Sequence, residues 1–174
     1  MRLLRRGTQV PAEVLAQLPR GERVLAAAPA TDGTWLLGTR DALHLVRSLS
    51  VEPVETIPWQ QVERAEWDRD SERLRVSEVG EYGVRRPVHE LAVTDPGTLL
   101  AFVRERVTAS VVLQRRVVVS GRSGFTVIAR RAPNGTGELS WAYEFDAGVD
   151  PEDPQVRVLA EAGLRAAAEE LGLA

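Results

Sequence analysis

The sequence predicts an α+β protein, in which an antiparallel β-meander is capped by a helix and extended by a β-hairpin and a C-terminal helix. Short runs of β-branched and apolar residues follow one another at turn-sized intervals across residues 23–93, with no helical stretch between them. Strands joined so closely pair in antiparallel fashion. Two amphipathic stretches follow, one after Asp95 and one after Asp153, and each has apolar residues at helical spacing.

Residues 57–67 are the stretch around which the meander is organised. Pro58 fixes its own φ and biases Ile57 toward extended geometry, so an arriving strand ends there. Trp59 and Val62 are three residues apart, which places both on one side of a single helical turn. An alternating strand follows and brings a second tryptophan, Trp67, toward the same interior. Two large aromatic side chains in so short a stretch predict the anchor of a hydrophobic core.

The other elements follow from local patterns. A short helix is expected at residues 11–18, and strands are expected at 23–28, 35–39, 42–46, 54–57, 73–77 and 88–93. Asp95 as N-cap and Pro96 at the first helical position predict the start of the closing helix. We therefore expect a helical arm at residues 1–20, the meander domain at 21–113 and an extension at 114–174.

The extension carries its own signals. Residues 111–119 are rich in β-branched side chains, so the closing helix gives way to strand within them. Two strands are expected at 125–131 and 139–145, with glycine-rich turns at 120–124 and 133–137. Asp150-Pro151 and Asp153-Pro154 are two competing starts for the last helix, which Gly172 ends.

Composition bounds the class of protein. The chain of 174 residues has no cysteine, which excludes disulfides and thiolate chemistry. All 22 basic residues are arginine, and the formal net charge of −3 gives no overall attraction to nucleic acid or anionic lipid. No apolar run approaches the roughly 20 residues of a membrane helix, so a cytoplasmic protein without a membrane partner is expected.

Two motifs carry a resemblance to a known fold family. The segment Gly38-Thr39-Arg40-Asp41-Ala42-Leu43-His44-Leu45 is similar to the Thr-x-x-x-Leu hairpin of bacterial pleckstrin-homology-like domains, and Ile57-Pro58-Trp59-Gln60-Gln61-Val62 is similar to their Ile-Pro-x-x-x-Ile turn. The likeness covers residues 21–113. The whole chain also resembles a conserved protein type of high-GC actinobacteria.

The resemblance implies a protein-interaction or scaffolding module without chemistry. Lipid-binding members of that family carry basic residues in the loop between their first two strands. Here that loop, at residues 29–33, holds Asp32 and no base, so phosphoinositide binding is not expected to carry over.

Catalytic and cofactor sites are not expected from the sequence. His44 and His89 have no zinc-ligand spacing, and His89 shares strand parity with Leu91 and Val93, which predicts a core or rim histidine. An enzyme would need a pocket that brings His89 within reach of a carboxylate and a hydroxyl. The acidic run Glu63, Glu66, Asp68, Asp70 and Glu72 fits a solvated strand face better than an acid/base pair or a calcium loop. Residues 120–124 resemble half of a phosphate cradle, but a hairpin turn is favoured.

Charge is unevenly distributed along the chain. Residues 106–137 carry six arginines and no acid, whereas residues 138–174 carry nine acids and two arginines. The candidate anion or partner surface consists of Arg115, Arg116, Arg122, Arg130 and Arg131. Internal pairing between the basic and the acidic segment is favoured, with weak nucleic-acid or anion binding as the alternative. The expected partner is another protein, or a second copy of the chain.

Overall fold

The computed structural model describes residues 9–47, 53–80, 82, 84 and 86–173. Within them the chain forms three antiparallel sheets and three α-helices. The predicted α+β class and the antiparallel pairing are therefore confirmed. The N-terminal arginines Arg2, Arg5 and Arg6, which belong to the predicted arm, lie outside the described residues.

The first sheet has four strands in sequence order. They are β1 (Ala26–Pro29), β2 (Thr34–Gly38), β3 (Ala42–Arg47) and β4 (Glu55–Pro58). Helix α1 (Ala12–Leu15) is half the expected length, and it packs Val14 against Leu37 and Val46 on one face of this sheet. Backbone turns replace the second half of the predicted helix, which precedes Pro19.

The second sheet follows after one 3-10 turn, Trp59–Gln61. Its strands are β5 (Val62–Asp68), β6 (Arg73–Glu78) and β7 (Val88–Ala92), in that order. Trp59 has no exposed surface, and its indole N–H donates to the Thr39 carbonyl over 3.1 Å. Trp67 is half-buried and donates to the Val93 carbonyl over 2.9 Å. The predicted anchor is therefore confirmed, since Trp59 is buried in the core, Trp67 packs against it half-buried, and both indole N–H groups are satisfied.

Helix α2 (Leu99–Ser110) closes the core between the first two sheets. It begins three residues later than the sequence predicts. The Asp95 carboxylate caps a turn instead, accepting from the Gly97 amide over 2.8 Å. Gly97 has φ of 53°, outside the right-handed helical region, so the helix starts only after it.

The extension contains a three-stranded sheet, in which the strand predicted within residues 111–119 pairs with the predicted two-stranded hairpin. Its strands are β8 (Val111–Ser120), β9 (Ser123–Arg130) and β10 (Ser140–Phe145), with β9 in the centre. Strand β8 continues directly from α2, so the predicted boundary between residues 113 and 114 falls inside a strand. Helix α3 (Pro154–Glu170) packs on this sheet through Val156 and Ala160, against Phe125 and Val127.

Polar contacts attach the extension to the second sheet. Arg86 forms an ion pair with Glu63 and donates to the Tyr143 carbonyl over 2.8 Å. The Tyr82 hydroxyl donates to the Pro151 carbonyl over 2.6 Å, and its ring meets Tyr143 edge to face. The extension is thus packed against the meander through contacts that are largely hydrogen-bonded.

Candidate functional site

An open cleft of about 680 Å³ lies between the first and second sheets. Its walls are the ends of β2 and β3, the residues leading into β4, and strand β7. Strand β4 is the last strand of its sheet and β7 is the last strand of the other, so two sheet edges face this space. The Thr31 amide donates to the Ala92 carbonyl over 2.8 Å and closes one end. We call this space the β7 cleft.

The lining of the β7 cleft is acidic. Three carboxylates (Asp32, Glu55 and Glu90) and one guanidinium (Arg47) line it, together with His89. The hydrogen bond from the Thr34 amide lowers the pKa of Asp32, so this carboxylate is ionised at neutral pH. The ionised groups of the lining therefore favour a cationic ligand.

His89 is the centre of a small cluster at the cleft. Its Nε2 lies 2.6 Å from Glu78 Oε1, and its Nδ1 lies 3.6 Å from Glu55 Oε1. The three residues come from different strands, since Glu55 opens β4, Glu78 ends β6 and His89 is in β7. The His89 and Glu78 side chains are mostly buried, whereas the Glu55 side chain is 48% exposed. His89 therefore lies mostly buried beside the cleft, at one of the two positions, core or rim, that the strand pattern predicts.

Backbone groups of β7 add a second feature to the cleft. The Glu78 amide donates to the Pro87 carbonyl, which fixes the alternation of hydrogen-bonded pairs between β6 and β7. In that alternation His89 and Leu91 bond to β6, while the amides and carbonyls of Val88 and Glu90 point away from it. Among the described residues these outward groups have no hydrogen-bond partner. They form a short open sheet edge.

The predicted arginine surface is dispersed by the structure. The Arg130 side chain is buried, with 3% of the residue exposed, so it is not part of any surface. Arg115 lies 3.2 Å from Glu170 of α3, and Arg116 forms a bidentate ion pair with Asp146. Arg131 is half-buried, and Arg122 is exposed on the β8–β9 turn. Of the five, three are exposed, and two of these pair with acids of the following segment.

Other sequence candidates have structural roles. The Asp68 carboxylate caps the β5–β6 turn by accepting from the Asp70 amide over 2.9 Å. Glu63 pairs with Arg86, and Glu66 lies 3.7 Å from Arg64. Gly124 of the glycine-rich turn is required for packing, because a Cβ there would lie 2.0 Å from the Val117 carbonyl oxygen. None of these contacts forms a site.

Sequence reasoning missed Glu55 and Glu78 as neighbours of His89. They are 34 and 11 residues from it along the chain, and no motif links them. The only available signal was the strand parity of His89. Among the described residues His89 is hydrogen-bonded to a carboxylate, that of Glu78, and to no hydroxyl.

Comparisons with known proteins give no relative: no family model, no curated protein and no solved structure matches the chain. None of the helices among the described residues is long and apolar enough to cross a membrane.

Proposed function

We propose that the chain is a non-catalytic protein-interaction module that binds an extended, basic segment of a partner protein in the β7 cleft. The observation that carries this proposal is the open edge of β7 beside an acidic lining. An extended segment pairs with such an edge through its main chain, and its alternate side chains then enter the cleft.

The charge of the cleft determines the chemistry of the partner segment. Glu55 lines the cleft beside His89, whereas the Glu90 side chain alternates with His89 along β7 and lies beside Arg75. Basic side chains on the two faces of a strand added to β7 therefore each have a carboxylate within reach. The Glu90 ion pair with Arg75 is exposed and 3.9 Å long, and pairs of this kind contribute at most about 1 kcal/mol. A cation of the partner can therefore replace Arg75 at small cost.

We also propose that residues 21–113 form a pleckstrin-homology-like domain. Support comes from a four-stranded sheet followed by a three-stranded sheet, both antiparallel, and from α2 closing the core that they share. The two motifs of the resemblance lie in β3 with its preceding turn and in the β4–β5 connection. Under this proposal the extension is an addition to a binding domain.

A matched pair of charge reversals tests the proposed binding. The probe is a panel of short synthetic peptides in which Arg or Lys alternates with Val or Thr, measured by fluorescence anisotropy. Glu90→Arg should weaken binding by about tenfold or more, because it reverses a charge that faces the ligand. Glu66→Arg is the control, since Glu66 is also an exposed strand carboxylate paired with an arginine, on β5.

A backbone variant separates strand addition from simple charge attraction. Val88→Pro removes an outward amide that β6 does not use, so the fold should persist while peptide binding is lost. The proposal is wrong if no peptide of the panel binds the wild type, or if Glu90→Arg and Glu66→Arg weaken binding equally. A wild-type dimer that Glu90→Arg dissociates in sedimentation would show that the occupant is a second copy of the chain.

A further inference from the structure

The cluster of His89, Glu78 and Glu55 has the donor set of a metal site. Ligand atoms of the three residues lie within 4.8 Å of one another. Imidazole nitrogen together with carboxylate oxygen suits divalent first-row transition metals, whereas calcium and magnesium prefer oxygen ligands alone.

The hydrogen bond to Glu78 fixes which nitrogen of His89 is available. His89 Nε2 lies 2.6 Å from Glu78 Oε1, and a carboxylate accepts only, so the proton of a neutral imidazole is on Nε2. The lone pair of Nδ1 then faces Glu55 Oε1 across 3.6 Å. Two acceptors facing each other repel unless a metal ion or a proton lies between them.

The spacing of these two acceptors fits a shared metal ion. Ligand atoms that are each about 2.1 Å from a zinc ion lie about 3.4 Å apart at the tetrahedral angle. The observed separation of 3.6 Å needs little adjustment, and Glu55 is exposed enough to supply it. A carboxylate on the second nitrogen of a ligating histidine, as Glu78 is here, orients the ring and raises its basicity.

We propose that His89 Nδ1 and Glu55 ligate one Zn²⁺ or a similar divalent transition-metal ion, with Glu78 as the positioning residue behind His89. The open β7 cleft supplies the remaining coordination positions with water or with a side chain of a bound protein. The inference stands on the cluster itself and does not require the proposed peptide binding.

Calorimetric titration of the full chain with Zn²⁺, after dialysis against a chelator, tests the site. We expect saturable binding of one ion per chain, with Ca²⁺ and Mg²⁺ giving none. Glu55→Gln should abolish or weaken binding by about a hundredfold as loss of a ligand, and Glu78→Gln by about tenfold as loss of the orienting carboxylate. Glu66→Gln, which removes an exposed strand carboxylate outside the cleft, is the control and should leave affinity unchanged.

Nitrogen NMR of the His89 imidazole provides a second readout that does not depend on a variant folding. Zinc should shift the Nδ1 resonance strongly and leave Nε2 protonated. The proposal is wrong if no saturable zinc binding occurs, if Glu55→Gln binds as the wild type does, or if Nε2 is the metallated nitrogen.

Discussion

His44 is a buried imidazole whose two nitrogens have separate partners. The Thr39 hydroxyl donates to the Ala42 carbonyl, so its oxygen accepts from His44 Nε2 over 3.2 Å. Nδ1 then accepts from the Thr56 hydroxyl over 3.0 Å. Only one neutral tautomer satisfies both bonds. Burial lowers the pKa of His44, because desolvation penalises the charged form.

This lowered pKa predicts a pH-dependent stability. The unfolded chain takes up the His44 proton at higher pH than the folded chain does, so the stabilisation is complete above the ordinary histidine value of about 6.5. It decreases as the pH falls below that value, at up to about 1.4 kcal/mol per pH unit. Urea denaturation between pH 8 and pH 5 should show this slope in the wild type, and His44→Gln should reduce it. Equal slopes in the two proteins would contradict the assignment.

Arg130 is a buried cation that connects the extension to the meander. Its guanidinium donates to the Val62 carbonyl over 3.3 Å and to the Ser110 hydroxyl over 3.1 Å. Burial lowers its pKa, while Glu144 and Glu63 oppose that shift. The sequence analysis assigned Arg130 to an exposed surface, because arginine side chains are rarely fully buried. The adjacent Arg131 gave no indication that this part of β9 packs against the meander.

Replacing Arg130 tests its structural role. Arg130→Ala should lower the free energy of unfolding by about 3 kcal/mol, since it removes charged hydrogen bonds and leaves a void. Arg130→Met refills the volume without leaving an unpaired charge, so its loss should be about 1 kcal/mol or less. Chemical denaturation of the two variants measures both. Similar losses for Ala and Met would mean that the charge itself is required.

Among the elements, the start of α3 was left open by the sequence because two Asp-Pro pairs precede it. The structure selects Asp153, whose carboxylate accepts from the Gln155 amide over 2.7 Å and from the Val156 amide over 3.4 Å. Asp150 caps only the preceding turn, accepting from the Glu152 amide. The two pairs are locally equivalent, and the packing of Val156 on the third sheet distinguishes them.

The capping role of Asp153 predicts an asymmetry between the two aspartates. Asp153→Ala should destabilise the protein by about 1 kcal/mol, the usual effect of losing an N-cap. Asp150→Ala is the matched control and should have less than half of that effect, because it caps a turn and not a helix. Thermal unfolding followed by circular dichroism measures both. A larger loss of stability for Asp150→Ala than for Asp153→Ala would show that Asp150, not Asp153, is the N-cap that stabilises the helix.

Elements that are determined by their own local sequence pattern were predicted well, and elements that depend on contacts with distant residues were not. Strand alternation and the apolar stripes of α2 and α3 are local, and they gave the right elements in the right order. The start of α2 was missed because Gly97 adopts a positive φ, which an Asp-Pro-Gly sequence permits but does not require. The pairing of β8 with β9 was not predicted, because a run of β-branched residues after a helix indicates a strand but not the strand with which it pairs.

Across the whole molecule, the basic and acidic segments of the chain face each other in part. Arg115 pairs with Glu170, and Arg116 pairs with Asp146. The exposed arginines of β8 therefore already form ion pairs with carboxylates of the acidic segment. With Arg130 buried, few cations remain for a polyanion. The pairs are exposed and contribute little to stability, yet they compete with any external anion.

We therefore expect no nucleic-acid binding at physiological salt. Any affinity for single- or double-stranded oligonucleotides should be weak, independent of sequence and lost near about 0.15 M salt, because each phosphate contact is strongly screened. Fluorescence anisotropy across a salt series measures this. Sub-micromolar binding at physiological salt that is lost in Arg115→Ala and Arg116→Ala would instead favour the nucleic-acid alternative.

The candidate site was the least predictable part of the molecule. The cluster forms because β4 and β7, the edge strands of two different sheets, lie next to each other; it consists of His89, Glu78 and Glu55. The sequence pattern of a single strand does not predict which strand of another sheet will lie beside it. The predicted arginine surface failed at Arg130 for the same reason, since sheet-to-sheet packing decides its burial. Local patterns describe strands, whereas the cleft arises from how the sheets are arranged.

Amide hydrogen exchange of β7 tests the central claim that its edge binds an extended partner segment. In the free protein the amides of Val88 and Glu90 should exchange quickly, while that of Leu91, which bonds to β6, should be protected. Saturation with the tightest peptide of the basic panel should protect Val88 and Glu90 and leave Leu91 unchanged. Peptide binding that leaves the Val88 and Glu90 amides exchanging as before would contradict the account.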